Sequence, residues 1–298
     1  MVSERLTSGR YVSQPVAIVS DSSIDLPVAE RERLGIEVAS IQATLTTEFF
    51  RDIDLKRPEF YKRLKTEPKL PVIAAALPKD FLEAYKRAHA RGEHLLCLIN
   101  PFESCSTYTS AYSAAVVAKR DNSINVEVLN TGRALTALGA TCVEAAEMAQ
   151  RGASLAEVIS AIEAATPQMN SYYAPATSEY LELDGRISIY EMTVGSLRGL
   201  LPLVRVWGRV AVIDKSKTQA ENVEKMLTRA EQELGRGEAT VIVTHADNQK
   251  GADELAAQAK KRLKCKRLIV TELGPSAGAY CGAGTVGLGY CPSLQKLN

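Results

Sequence analysis

The chain has 298 residues, a formal net charge of +1 and 46% hydrophobic residues, enough for a sizeable core in two packed lobes or one large domain. Charged residues make up 24% and balance in sign, so no bulk field draws the chain to nucleic acid or to a membrane surface. No apolar run approaches the roughly 18 residues of a membrane span, which argues against stable insertion in a bilayer.

The polar stretch 1–14 carries Arg5 and Arg10 with no apolar block behind them. It reads as a flexible tail and not as a signal peptide. The six cysteines, Cys97, Cys105, Cys142, Cys265, Cys281 and Cys291, show no CxxC spacing. They are expected to be buried thiols in a reducing cytoplasm.

Val16-Ala-Ile-Val19 is a short apolar run that predicts the first strand. Asp21-Ser-Ser-Ile-Asp-Leu-Pro27 follows, with Pro27 suited to the first turn of a helix. Residues 36–45 look extended, with β-branched Ile36, Val38, Ile41 and Thr44. Helices are expected from Pro58 to Lys65 and from Pro78 onward, the second with Phe81, Leu82, Tyr85 and Ala88 at helical spacing. Residues 95–99 predict a buried strand, 104–119 a small-residue helix and 124–129 another strand. A long helix over 133–150 presents Leu135, Leu138, Cys142, Ala145 and Ala149 on one face. This alternation of strand and helix points to a largely parallel sheet covered by helices.

Ser154-Leu-Ala-Glu157 is a capping box and opens the second lobe, so the chain divides into 1–14, 15–153 and 154–298. Residues 172–177 read as a strand, 181–187 as a turn and 195–203 as a short apolar stretch. Strands are expected over 208–213, 240–244 and 267–271. Helices are expected over 221–234 and 251–263. The segment 274–290 is rich in Gly and Ala. The fold class is therefore α/β in two lobes: an N-terminal, largely parallel sheet flanked by helices, and a second α/β lobe.

Several segments, in this order, resemble the DegV family over about residues 15–291. They are Val19-Ser-Asp-Ser-Ser-Ile-Asp-Leu-Pro27, Phe50-Arg-Asp-Ile-Asp54 with Glu59-Phe-Tyr61, and Leu183-Asp-Gly-Arg-Ile-Ser188. Gly195-Ser-Leu197 through Pro202, Leu273-Gly-Pro275 and Gly282-Ala-Gly284 complete the set. The resemblance implies a binding protein and not an enzyme. It would have no catalytic residue, metal or cofactor, and would hold a long-chain fatty acid or related lipid in a tunnel between the lobes. Some members present the carboxylate to a separate, ATP-dependent fatty-acid kinase subunit, so the resemblance extends to such a partner.

Carried over position by position, the resemblance implies a ligand site at Ile73, Ala74, Asn100, Ser104, Arg186, Tyr280 and Cys281. Several of these differ from the family pattern. Ile73 and Ala74 stand where the family has Thr and Ser, Asn100 where it has Ser, and Tyr280 where it has His. A tyrosine donates a hydrogen bond but carries no positive charge near neutral pH. The expected ligand is thus lipid-like with an altered head group. Arg186 reads equally well as a partner of Asp184 or Glu182.

Other patterns hold less. Gly282-Ala-Gly-Thr-Val-Gly287 spells GxGxxG, but only about ten residues follow, too few for a dinucleotide-binding βαβ unit. His89, His94 and His245 lack metal spacing with the cysteines. Asp21, Ser22 and Ser23 read as a capped turn. Two alternatives to the lipid carrier stay open. One is a small-molecule enzyme with Tyr280 as acid and Asp21 or Glu103 as base; the other is a ligand-free paralogue.

Overall fold

A computed structural model describes residues 14–67, 69–100, 106–184 and 199–295. Strand β1 (Gln14–Asp21) lies between β2 (Glu37–Ala39) and β6 (Gly92–Ile99), and β7 (Val126–Asn130) completes a four-stranded sheet in the order β2-β1-β6-β7. Every pairing in it is parallel.

Both faces of the central strands β1 and β6 are dry, which is why these strands read as continuous apolar runs. Val16, Ile18, Leu96 and Leu98 point into one cluster with helix α5 (Leu135–Gln150). Ala17, Val19, Leu95, Cys97 and Ile99 point the other way. They meet Phe81 and Tyr85 of α3 (Pro78–His89) and Ala111 and Ala114 of α4 (Thr107–Asn122). Burial of each such large side chain stabilises the fold by about 1.5–3 kcal/mol.

The second sheet has six strands in the order β10-β9-β8-β13-β11-β12. They are β8 (Asn170–Ala174), β9 (Leu201–Val206), β10 (Val210–Ser216), β11 (Glu238–His245), β12 (Lys264–Glu272) and β13 (Val286–Pro292). Only β11 and β12 run parallel; the other four pairings are antiparallel. Helices α8 (Gln219–Leu234) and α9 (Gln249–Arg262) cover one face through Met226, Leu227, Ala252 and Leu255.

The opposite face meets α5, which is thus shared by the two sheets. The sequence predicts one apolar face on this helix. The structure buries 14 of its 16 residues, because small side chains let sheets approach it from two sides. Gly139 shows how close: a Cβ there would lie 2.7 Å from the Ile24 carbonyl oxygen.

Two predicted elements change character. Of the turn expected over 181–187, residues 181–184 lie instead in a short helix, α7 (Glu179–Asp184), and 185–187 lie outside the described residues. The Gly-rich tail contains helix α10 (Pro275–Cys281) and then β13. In β13 the large residues Val286, Leu288 and Tyr290 face α8 and α9, while Gly289 alternates with them toward α5. The glycines disguise a strand, and the GxGxxG pattern leads into that strand and not into a helix.

A three-stranded antiparallel sheet, β4-β3-β5, sits beside the first sheet. Its strands are β3 (Gln42–Leu45), β4 (Glu48–Arg51) and β5 (Val72–Ala74). The extended stretch 36–45 is thus divided between two sheets. Helix α2 (Arg57–Leu64) follows β4. Helices α1 (Val28–Leu34) and α6 (Leu155–Ala165) complete the description, α6 with the expected Ser154–Glu157 capping box. Among the described residues no helix is long and apolar enough to cross a membrane.

Candidate functional site

In the parallel sheet the chain passes from β1 to β2 on one side and later to β6 on the other. Ligand crevices of open parallel sheets form at such a reversal, outside the carboxyl ends of the strands. Here those ends carry Asp21, the last residue of β1, and Asn100, which directly follows β6. Asn100 is only 6% exposed. The Asp21 carboxylate accepts hydrogen bonds from the Ser23 amide at 2.9 Å and from the Ser23 hydroxyl. Burial raises its pKa, with the two Ser23 bonds opposing. Asp21 is therefore occupied as the cap of a 3₁₀ turn, Ser22–Ile24.

Next to this edge lies an apolar cluster between the small sheet and the second sheet. Ala43 and Leu45 of β3, Phe60, Tyr61 and Leu64 of α2, and Leu135 at the start of α5 form one side. Tyr173, Val204 and Val206 of the second sheet form the other. Ile73, Tyr180, Val210, Val212 and Tyr280 pack against it while half-buried, and Cys281 is inside. Ile73, Tyr280 and Cys281 therefore all belong to or border this one cluster. Ala74 is exposed on β5, where it pairs with Gln42. Ser104, Glu103 and Arg186 lie outside the described residues.

The N-terminus of α5 faces this cluster and has no side-chain cap of its own. Its amides are met from the neighbouring sheet. Ser171 accepts from the Ala137 amide at 2.8 Å and donates to the Ala134 carbonyl at 3.0 Å. The Tyr173 hydroxyl lies 3.0 Å from Thr136 Oγ1. Burial pushes the Tyr173 hydroxyl pKa up, so it stays a neutral donor. Nothing in the local sequence around Ser171 or Tyr173 signals this role, because their partners are over 30 residues away.

His245 ends β11. Its Nδ1 accepts from the Asn248 amide at 3.2 Å, and Nε2 lies 3.0 Å from Gln249 Oε1. Both ring nitrogens are thus engaged in holding the turn after the strand. The described cysteines are free thiols, with Cys97, Cys142, Cys281 and Cys291 buried. Burial lifts Cys142 to about 12, which makes it an inert thiol.

A cleft of about 340 Å³ opens beside the 3₁₀ turn, lined by Asp25, Arg31, Asp52 and Arg57 together with apolar residues such as Leu26 and Val38. Arg57 binds Asp52 at 2.5 Å and reaches Asp25 at 3.5 Å. Burial drives the Asp25 pKa well above its ordinary value. The charges of Asp52 and Asp21 add to this, against Arg57 and the Gly274 amide. A raised carboxyl penalises the folded state increasingly as pH climbs from the unfolded value of about 3.9 toward the folded one. Asp25→Asn keeps the acceptor and suits the left-handed backbone at φ 49°. This variant is expected to melt higher than the parent at neutral pH and level with it below about pH 4. Calorimetry across pH checks this, and a constant gap would contradict it.

Comparison with known proteins agrees with this architecture. A family model described as "uncharacterised protein, DegV family" matches residues 15–293. A DegV domain-containing protein of Caldanaerobacter subterraneus is 26% identical over 278 residues, covering 92% of this chain and 98% of its own length. One from Streptomyces coelicolor is 28% identical over 282 residues, covering 93% and 98%. Among solved structures, a DegV-family protein of Thermus thermophilus described as binding fatty acid superposes with a TM-score of 0.83. It is 25% identical, and the match covers 94% of this chain and 100% of that one.

Proposed function

The chain belongs to the DegV family, and from that premise we propose that it binds a fatty acid or similar lipid, its acyl chain held against the apolar cluster between the small sheet and the second sheet. One observation carries this reading. Eight half-buried hydrophobic residues pack against that cluster, compared with three to five for the other three clusters among the described residues. A half-open apolar surface suits an acyl chain, which gains about 0.8 kcal/mol per buried methylene. The fatty-acid binding described for the Thermus thermophilus relative supports the same ligand class.

The proposed ligand site comprises Ile73, Ala74, Asn100, Ser104, Arg186, Tyr280 and Cys281. Ile73 and Ala74 offer no side-chain donor. Asn100, Ser104 and Tyr280 offer neutral ones, and Arg186, the one charged donor, reads equally well as a partner of Asp184 or Glu182. A fully ionised carboxylate is costly to bury without strong donors. The proposed head group is therefore neutral, differently placed, or held mainly by backbone amides. A further part of the proposal is that the chain hands its lipid to a separate ATP-dependent kinase subunit.

Organic extraction of the purified protein followed by mass spectrometry tests this. The expected result is a lipid at about one per chain that is not an ordinary fatty acid. Ordinary saturated and monounsaturated fatty acids alone, at that ratio, would overturn the neutral head group. No lipid, together with no binding of added palmitic acid, would overturn the carrier reading.

A further inference from the structure

Helix α10 carries Tyr280 and Cys281, yet it has only seven residues and no side-chain cap at Gly274. A helix this short does not hold its own position in water. Its placement must come from tertiary contacts, and three side chains from the first third of the chain supply them. Asp25 Oδ1 accepts from the Gly274 amide at 2.8 Å. The Tyr61 hydroxyl donates to the Leu273 carbonyl at 2.8 Å. Arg57 completes the group, bridging Asp52 and Asp25.

The fit around these side chains is close. A Cβ on Gly274 would lie 2.6 Å from Asp25 Oδ1 and 2.7 Å from Arg57 Nη2. A Cβ on Gly278, one turn into the helix, would lie 2.4 Å from the Tyr61 hydroxyl oxygen. Both glycines have backbone angles open to other residues, so space and not conformation requires them. The backbone of Asp25 takes part as well, its carbonyl accepting from Thr271 Oγ1 at 2.7 Å. Tyr61 and Asp25 are both buried, so water competes little for these bonds.

We infer that Asp25, Arg57 and Tyr61 are positioning residues for ligand recognition, fixing the 273–274 turn and with it the stance of Tyr280 and Cys281 at the head-group end of the site. This rests on the proposed lipid site. The positioning itself is measurable in the ligand-free protein.

The first measurement is amide hydrogen exchange on the full chain. Tyr61→Phe removes one hydroxyl and leaves the ring packing. Asp25→Gly removes the acceptor and tolerates the left-handed backbone, while Asp25→Asn keeps the acceptor. Loss of one net hydrogen bond corresponds to about a fivefold effect. Exchange over 275–281 should quicken about fivefold or more in Tyr61→Phe and Asp25→Gly, stay near the parent rate in Asp25→Asn, and leave 135–150 unchanged. Parent rates over 275–281 in both disrupting variants would overturn the inference.

The second measurement is the ratio of affinities for palmitic acid and its methyl ester. Tyr61→Phe should change this ratio about fivefold, whereas general loosening would weaken both ligands alike. Altered exchange with an unchanged ratio would overturn the link to the head group. Altered exchange in a protein that binds neither lipid would support the positioning and remove the lipid reading.

Discussion

Gly289→Val is expected to remove the cooperative thermal transition of the protein or to lower its stability by more than about 3 kcal/mol, beyond the usual range for overpacking a core. The reason lies in how closely β13 approaches the first turn of α5. A Cβ at position 289 would stand 2.3 Å from Thr136 Oγ1, 2.6 Å from Thr136 Cβ and 2.7 Å from the Ala137 amide nitrogen. The last of these is backbone and cannot rotate away. Thr136 is fully buried and tied to Ser171 and Tyr173, so the whole helix start would have to move. Domains of this kind have only about 5–15 kcal/mol in total. Gly287 supplies the comparison. The nearest atoms to a Cβ there belong to side chains, Tyr173 Cδ1 at 2.6 Å and Thr244 Cγ2 at 2.8 Å, and not to the backbone. Gly287→Ala should therefore cost less, about 1–3 kcal/mol. Urea denaturation of both variants would sink the argument if Gly289→Val proved the milder one.

The same close approach explains what could be read from the sequence and what could not. β1 and β6 are legible because both faces are covered, which leaves unbroken apolar runs. The cap of α6 is legible because Ser154 and Glu157 bond within three residues of each other. β13 is not legible as a strand, since two of its seven positions are glycines, Gly289 to admit α5 and Gly287 to admit Tyr173 and Thr244. Its signal is a period-two alternation of large and glycine residues, Val286-Gly-Leu-Gly-Tyr290, which composition alone renders as a loop. β3 and β5 are hard to place for another reason: the small sheet pairs Ala43 with Phe50 on one side and Ile73 on the other.

At the candidate site, the resemblance leads to Ile73, Tyr280 and Cys281, which share one cluster. It gives no role to Asp25 or Tyr61, although both stand in segments that carry it, and it does not reach Tyr173. Tyr61 and Asp25 act on groups more than 200 positions away. Such contacts follow from how the two sheets stack around α5 and have no local pattern.

The largest effect from a single polar group is expected at Glu144, on the face of α5 turned to β11 and β12. Its side chain is fully buried. Lys266 reaches both carboxylate oxygens at 3.0 Å, Thr240 Oγ1 donates at 2.6 Å and the Leu294 amide donates at 3.1 Å. Glu147, one turn on, binds Lys266 at 2.8 Å and Arg267 at 2.9 Å. Glu144→Ala would leave the Thr240 hydroxyl and the Leu294 amide without their acceptor, leave Lys266 with Glu147 alone, and open a cavity. Breaking a buried ion pair from one side costs about 3–5 kcal/mol. Lys266 keeps 27% exposure and can partly rehydrate, which places the expected loss near the lower end, about 3 kcal/mol. Glu144→Met combined with Lys266→Met should recover part of that loss, since apolar pairs of similar volume replace buried ion pairs at little cost. The recovery should be incomplete, because Thr240 and the Leu294 amide still lack an acceptor. Glu147 adds a dependence on pH. Burial raises its carboxyl, but Lys266 and Arg267 outweigh burial and hold it below the usual range. Its contribution is therefore present above the ordinary carboxylate pKa and fades as pH falls through the lowered one. A Glu144→Ala protein within about 0.5 kcal/mol of the parent in urea at neutral pH, the scale of an ordinary surface change, would show that the joint between α5 and the second sheet rests on packing alone.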